Sequence, residues 1–177
     1  MSQATTFEDL KAKAEVYYGD EICREKFRHL LTEIGFPDGL VITLQEIEEY
    51  GHVRDTGFVW LKHKKKNKEE KKKNEFFKFD NIFIWHDTEV TAYFEPNKIK
   101  NLTGVKAKDF LIWITLSEIY VNGDHGAASP SSMITFRTPA GLSKSFPSSV
   151  FELGNTPLMV HKEIAEAKEG DSSKIEM

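Results

Sequence analysis

Cysteine is almost missing from this chain: Cys23 stands alone among 177 residues. One thiol cannot close an intramolecular disulfide, so a packed core must hold the fold, as suits a reducing compartment. Long apolar runs are missing too. The longest, Phe110 to Leu116, is interrupted by Thr115 and far too short to span a bilayer. The opening residues, Met1 to Asp9, carry neither the basic nor the apolar segment of a secretion signal. The expectation is a soluble cytoplasmic protein, in which the sequon Asn101-Leu102-Thr103 goes unused. None of the six histidines, His29, His52, His63, His86, His125 and His161, has a paired metal-ligand spacing. No glycine-rich phosphate loop occurs. No motif points to a metal, a cofactor or a particular oligomeric state.

What the chain does have is aromatic bulk and a divided charge. Aromatics make up 12% of residues, led by 13 Phe, so the core is expected to be Phe-rich. Between Lys62 and Lys73 stand eight Lys and two Glu, a local charge of +6 that leaves −10 on the rest of a chain totalling −4. Such a block reads first as a solvated loop. Its lysines, Lys64, Lys65, Lys66, Lys71, Lys72 and Lys73, are also candidates for transient contact with an anionic membrane surface. Nucleic acid is the less favoured partner, because the acidic remainder opposes broad phosphate contact.

Thr6 is placed to cap a helix that begins at Phe7 and carries Phe7, Leu10, Ala14 and Tyr17 on one face. Asp20 reads as the cap of a second helix with Cys23, Phe27, Leu30, Leu31 and Ile34 as its stripe, closed by Gly35 and Pro37. Beyond Gly39 the period changes to two. Strands are expected at Ile47 to Val53 and Phe58 to His63, joined by Arg54-Asp55-Thr56-Gly57, with a bulge near Ile47 to Gly51. Val90, Ala92 and Phe94 mark one face of a half-buried strand. Phe110 to Val121 gives the strongest strand signal, with Phe110, Ile112, Ile114, Leu116 and Tyr120 on one face and an apolar second face. It is expected to be covered on both sides and to share its buried face with Val90, Ala92 and Phe94. Met133 to Thr138 and Leu142 to Phe146 form a last hairpin. Thr156-Pro157 and Gly170 bracket a marginal helix, and a flexible tail follows. The fold class is mainly β (α+β): an antiparallel β-barrel-like domain over residues 1–152 packed by N-terminal helices, then a helix and tail over 153–177.

Glu89-Val-Thr-Ala-Tyr-Phe-Glu-Pro-Asn-Lys-Ile-Lys-Asn-Leu-Thr-Gly-Val-Lys-Ala-Lys, continuing through Trp113, Ser117, Glu118 and Tyr120, resembles the plant family of domain of unknown function 538. Asp55 to Trp60, Thr135 to Leu142 and Ser145-Phe146-Pro147 resemble it too, and the likeness runs from about Cys23 to Glu152. The resemblance implies a plant source, a compact β-barrel-like domain with helices at one end, and a shape similar to lipid-binding domains of the bactericidal permeability-increasing type. It implies no catalytic residues. Many members begin with a secretion signal, from which this sequence departs.

The expected activity is therefore binding of an apolar small molecule or lipid. Trp60 and Trp113 are candidates to stack on the ligand, and Glu89, Glu118 and Tyr120 to line its site. Glu118 interrupts an apolar strand face. Inside a cavity it would be a desolvated carboxylate of raised pKa; at the rim it would pair with a lysine. An esterase- or isomerase-type enzyme using Glu118 or Glu89 is the alternative, and a nuclear or nucleic-acid role through the lysine block is a second one. Gly141-Leu142-Ser143-Lys144-Ser145 approaches the hydrolase elbow pattern but begins a strand, where no strained nucleophile turn forms.

Overall fold

The computed structural model describes residues 6–44, 46–65, 73–79, 82–109, 112–122, 132–151 and 158–163. Its first helix, α1 (Phe7–Ala12), opens on a complete capping box. Thr6 accepts from the Asp9 amide, and the Asp9 carboxylate accepts from the Thr6 amide at 3.1 Å. The helix ends earlier than its apolar stripe suggests. Val16 and Tyr17 belong instead to β1 (Glu15–Tyr18), paired antiparallel with β2 (Ile47–Val53). Sheet pairing here outweighs a local helical pattern.

Helix α2 (Asp20–Glu33) is capped by Gly19 rather than by Asp20. The Asp20 carboxylate is occupied elsewhere, accepting from Arg24 Nε at 2.9 Å and from the Ile47 amide at 2.8 Å. Arg24 in turn reaches the Val41 and Leu44 carbonyls, tying the helix start to the short 3₁₀ segment Asp38–Thr43. The C-terminus closes as a Schellman motif. The Phe36 amide donates to the Leu31 carbonyl, and Gly35, at φ 88°, donates to Thr32.

The remaining strands are β3 (Phe58–His63), β4 (Lys73–Phe79), β5 (Ile82–Glu95), β6 (Lys98–Asp109), β7 (Ile112–Thr115), β8 (Glu118–Asn122), β9 (Met133–Arg137), β10 (Ser143–Pro147) and β11 (Leu158–Glu163). They form one antiparallel sheet in the order β1-β2-β3-β5-β6-β8-β9-β10, with β4 on β5, β11 on β4 and β7 on β6. No pairing joins β1 to β10, so the sheet is open: the antiparallel class is as expected, but barrel closure is not. The β2–β3 hairpin carries the expected bulge, between Ile47 and Glu49.

Three further elements differ from what the sequence suggests. Residues 98–109 form a strand that the reading passes over. Asn101 (φ 51°) and Gly104 (φ 84°) each sit in the left-handed region, and the β5–β6 register shifts on both sides of Thr91. Each irregularity flips the parity, so buried Ile99, Leu102 and Val105 never read as one alternating face. The long strand expected at Phe110 to Val121 is two strands over its described part, Phe110 and Leu111 lying outside the described residues. Both β7 and β8 pair with β6, at opposite ends. Parity switches between them: Leu116, Ile119 and Val121 are buried, Ile114 is half-buried and Ile112 is 66% exposed. Ile112 therefore does not share the buried face of Val90 and Ala92. The strand covered on both faces is β3. Val59 and Leu61 face the main core under α2, while Phe58 and Trp60 pack with Val53 against Phe7 and Leu10 of α1. Finally, Leu158–Glu163 is a strand, paired antiparallel with β4, where a helix is expected. That helix had only a thin apolar stripe, and pairing with a sheet edge satisfies its backbone more fully.

Candidate functional site

The concave face of the sheet and α2 do not fill the space between them. They leave an apolar pocket of about 70 Å³ between them, open in part to the outside. Val59 and Leu61 of β3, Ile84, Val90, Ala92 and Phe94 of β5, and Ile99, Leu102 and Val105 of β6 line it on the sheet side. Phe27 of α2, with Leu40 and Leu44, closes the helical side, and Leu116, Ile119 and Phe136 form the far wall. Among the described residues the polar lining is His86 and Thr91, and the Thr91 hydroxyl is engaged with that of Thr103 at 2.6 Å. A water held here would find few of the two to four polar partners it needs, so the space favours hydrocarbon.

Beyond the far wall lies an open groove of about 250 Å³, lined by Ala107, Ile114, Leu116, Phe136, Thr138, Leu142, Ser143 and Lys144. Leu116 and Phe136 line both spaces. Lys144 Nζ stands 5.5 Å from the Phe146 ring centroid, giving the groove a cationic border. The arrangement is an apolar slot that starts at the surface and reaches the core past two side chains.

Two histidines stand at the inner end. The His63 and His86 rings are 5.8 Å apart, and both are buried. His63 Nδ1 lies 2.9 Å from the Asp87 carbonyl; since a carbonyl only accepts, the neutral ring carries its proton on Nδ1. Burial pushes both imidazoles below their ordinary range, His86 to about 3, with the neighbouring His63 as the lesser cause for His86. Both rings are thus neutral at pH 7. Neither histidine carries a sequence motif that assigns it a role. His86 was nevertheless visible, since it continues the inward parity of Ile84, Val90 and Ala92.

The ligand residues expected from sequence are not brought together. Trp60 is fully buried in the α1-side core, its Nε1 donating to Glu49 Oε2 at 2.7 Å. Trp113 is 41% exposed on the other face of β7 from Ile114. Glu89 is exposed and pairs in register with Lys62. Glu118 sits at the rim, 3.4 Å from Lys98 Nζ and 3.7 Å from Arg137 Nη1, which is the paired arrangement rather than the desolvated one. Tyr120 is half-buried, opposite Lys98 and Thr135. None of the five lines the cavity. Of the lysine block, Lys62 belongs to β3 and pairs with Glu49 at 3.6 Å, and Lys73 begins β4, so the block is not one loop. Lys64 and Lys65 are exposed, with Lys64 near Glu46 at 3.8 Å. Lys66, Lys71 and Lys72 lie outside the described residues. Among the described residues no group of three or more His, Cys, Asp or Glu is placed to hold a metal, and no helix is long and apolar enough to cross a membrane.

Fold and site together define an open antiparallel sheet wrapped around an apolar cavity with a surface groove. Residues 27–152 match the family described as protein of unknown function, DUF538, and the chain belongs to that family. No curated protein and no solved structure matches it.

Proposed function

We propose that this protein binds an apolar small molecule or a lipid chain in the cavity and the groove that adjoins it. The observation that carries the reading is the shared Leu116–Phe136 wall, which sets an apolar pocket in the core beside a larger surface groove. The inner pocket is about half of the ~150 Å³ that admits benzene in an engineered apolar cavity. It suits a short hydrocarbon segment, with the rest of the ligand in the larger groove. Thr138, Ser143 and Lys144 supply a polar border for a hydroxyl or carboxylate end group. The cavity lining holds no carboxylate, which favours binding over the acid–base chemistry of the enzymatic alternative. A cytoplasmic place of work and a plant source belong to the same proposal.

Native mass spectrometry of the protein mixed with fatty acids of graded length tests this. A one-to-one adduct that strengthens with chain length is expected. No adduct at any length contradicts it.

A further inference from the structure

The face of β5, β6 and β7 that turns away from the cavity has a composition of its own. Register places Phe83, Lys108 and Trp113 in one row across the three strands, and Trp85, Lys106 and Thr115 in the next. Lys78 of β4 holds the position opposite Phe83, which extends the first row to four. Cations and aromatics alternate along it. Lys106 Nζ lies 5.3 Å from the Trp85 ring centroid and Lys108 Nζ 5.8 Å from that of Trp113. No acidic residue occupies these positions; acidic residues begin farther along β5, at Asp87 and Glu89. At the end of this face the β6–β7 hairpin presents Ile112, 66% exposed, on one side and Trp113 on the other.

We propose that this face and the β6–β7 hairpin dock on an anionic phospholipid bilayer. Tryptophan rings settle at the headgroup level, where one edge is apolar and the other wet. Lysines beside them meet lipid phosphates and carboxylates, and an exposed isoleucine at the hairpin end enters the acyl boundary. Charge complementarity selects anionic lipid over neutral lipid. It also separates the bilayer from single-stranded nucleic acid. Base stacking needs open ring faces, whereas here an ammonium group stands near each indole ring and the exposed Ile112 begins β7. The proposal stands apart from the cavity reading, because vesicle binding is found or lost with the cavity empty.

The test is co-sedimentation of the full chain with vesicles of phosphatidylcholine alone, and of two parts phosphatidylcholine to one part phosphatidylserine. Binding to the second vesicle only, weakening with salt, is expected. K106Q/K108Q should weaken it roughly thirty-fold, about 2 kcal/mol for two lysines, and W113S should weaken it further. Quenching of wild-type tryptophan emission by bilayers with brominated acyl chains reads the same contact without any substitution; its absence overturns the proposal. So does binding unchanged by K106Q/K108Q and W113S in folded variants, or a tryptophan response to single-stranded oligonucleotide but not to vesicles. Self-association in place of vesicle binding overturns it as well.

Discussion

Leu116 and Phe136 each line both the inner apolar pocket and the outer groove, so the two spaces share a wall. Phe136 is also held by Phe146 and Phe151, with ring centroids 5.9 Å and 5.6 Å away. Phe136→Ala should therefore cost ~3–5 kcal/mol in denaturant unfolding. It should also join the two spaces, raising affinity for long-chain ligands relative to short ones. An equal change for all chain lengths would show that the wall does not gate depth.

Gly51 stands opposite Trp60 across the β2–β3 pair, and a Cβ at position 51 would collide with the indole ring. Gly51→Ala should lower stability by ~1–3 kcal/mol or more, through overpacking rather than backbone strain. A double-mutant cycle with Trp60→Leu checks it. The cost of Gly51→Ala should shrink markedly once the ring is gone, and an undiminished cost would assign the role of Gly51 to the strand itself.

Acid should weaken this protein through its paired imidazoles. The folded pKa of His86 lies at about 3 and that of His63 is also depressed, both below the ordinary ~6.5. In that interval the unfolded chain binds more protons than the folded one. Stability is thus full above about pH 6.5 and falls with pH, by roughly 4 kcal/mol at pH 3 from His86 alone. Urea midpoints measured from pH 7 to 4 should decline for the wild type and decline less for His86→Phe. Parallel slopes would remove His86 as the cause.

Strands β2 and β3 and the final hairpin were legible because their alternation is unbroken or interrupted once, at the Ile47–Glu49 bulge; β1 was not, because Ala14 and Tyr17 continue the helical spacing of Phe7 and Leu10. Strand β6 was not, because two left-handed residues reverse its parity within four positions and scatter Ile99, Leu102 and Val105 over both faces of a regular pattern. The β7–β8 break was hidden for the opposite reason. Apolar residues on both parities from Phe110 to Val121 read as a doubly covered strand, when in fact Ile112 and Trp113 are exposed. Of the candidate site, only the apolar interior was legible, in the Phe content of the strands. Tryptophans and strand carboxylates pointed to the rim and the second core, away from the aliphatic lining.

Arg24 serves three acceptors: Asp20 on its own helix and the Val41 and Leu44 carbonyls of the 3₁₀ segment and its end. Leu40 and Leu44 border the cavity, so this clamp fixes one of its edges. A lysine keeps the charge but not the planar fork that serves all three acceptors. Arg24→Lys should cost ~1–3 kcal/mol, within the range for hydrogen bonds to a charged group. It should also speed hydrogen exchange at the Leu44 and Ile47 amides before the rest of the sheet. Uniform exchange would mean that the clamp is dispensable.

Ala92 lies in the sheet wall of the cavity, 2% exposed and surrounded by larger aliphatic side chains. Ala92→Leu adds hydrocarbon to the space a ligand would take, while overpacking of this kind costs ~1–3 kcal/mol and leaves the fold intact. Calorimetric titration of decanoate into the wild type and Ala92→Leu, at two temperatures, tests the central claim most directly. The account predicts saturable one-to-one binding to the wild type with a negative heat-capacity change, and at least a tenfold loss in a variant that still unfolds cooperatively. No saturable binding to the wild type, or equal affinity in a folded Ala92→Leu protein, would contradict it.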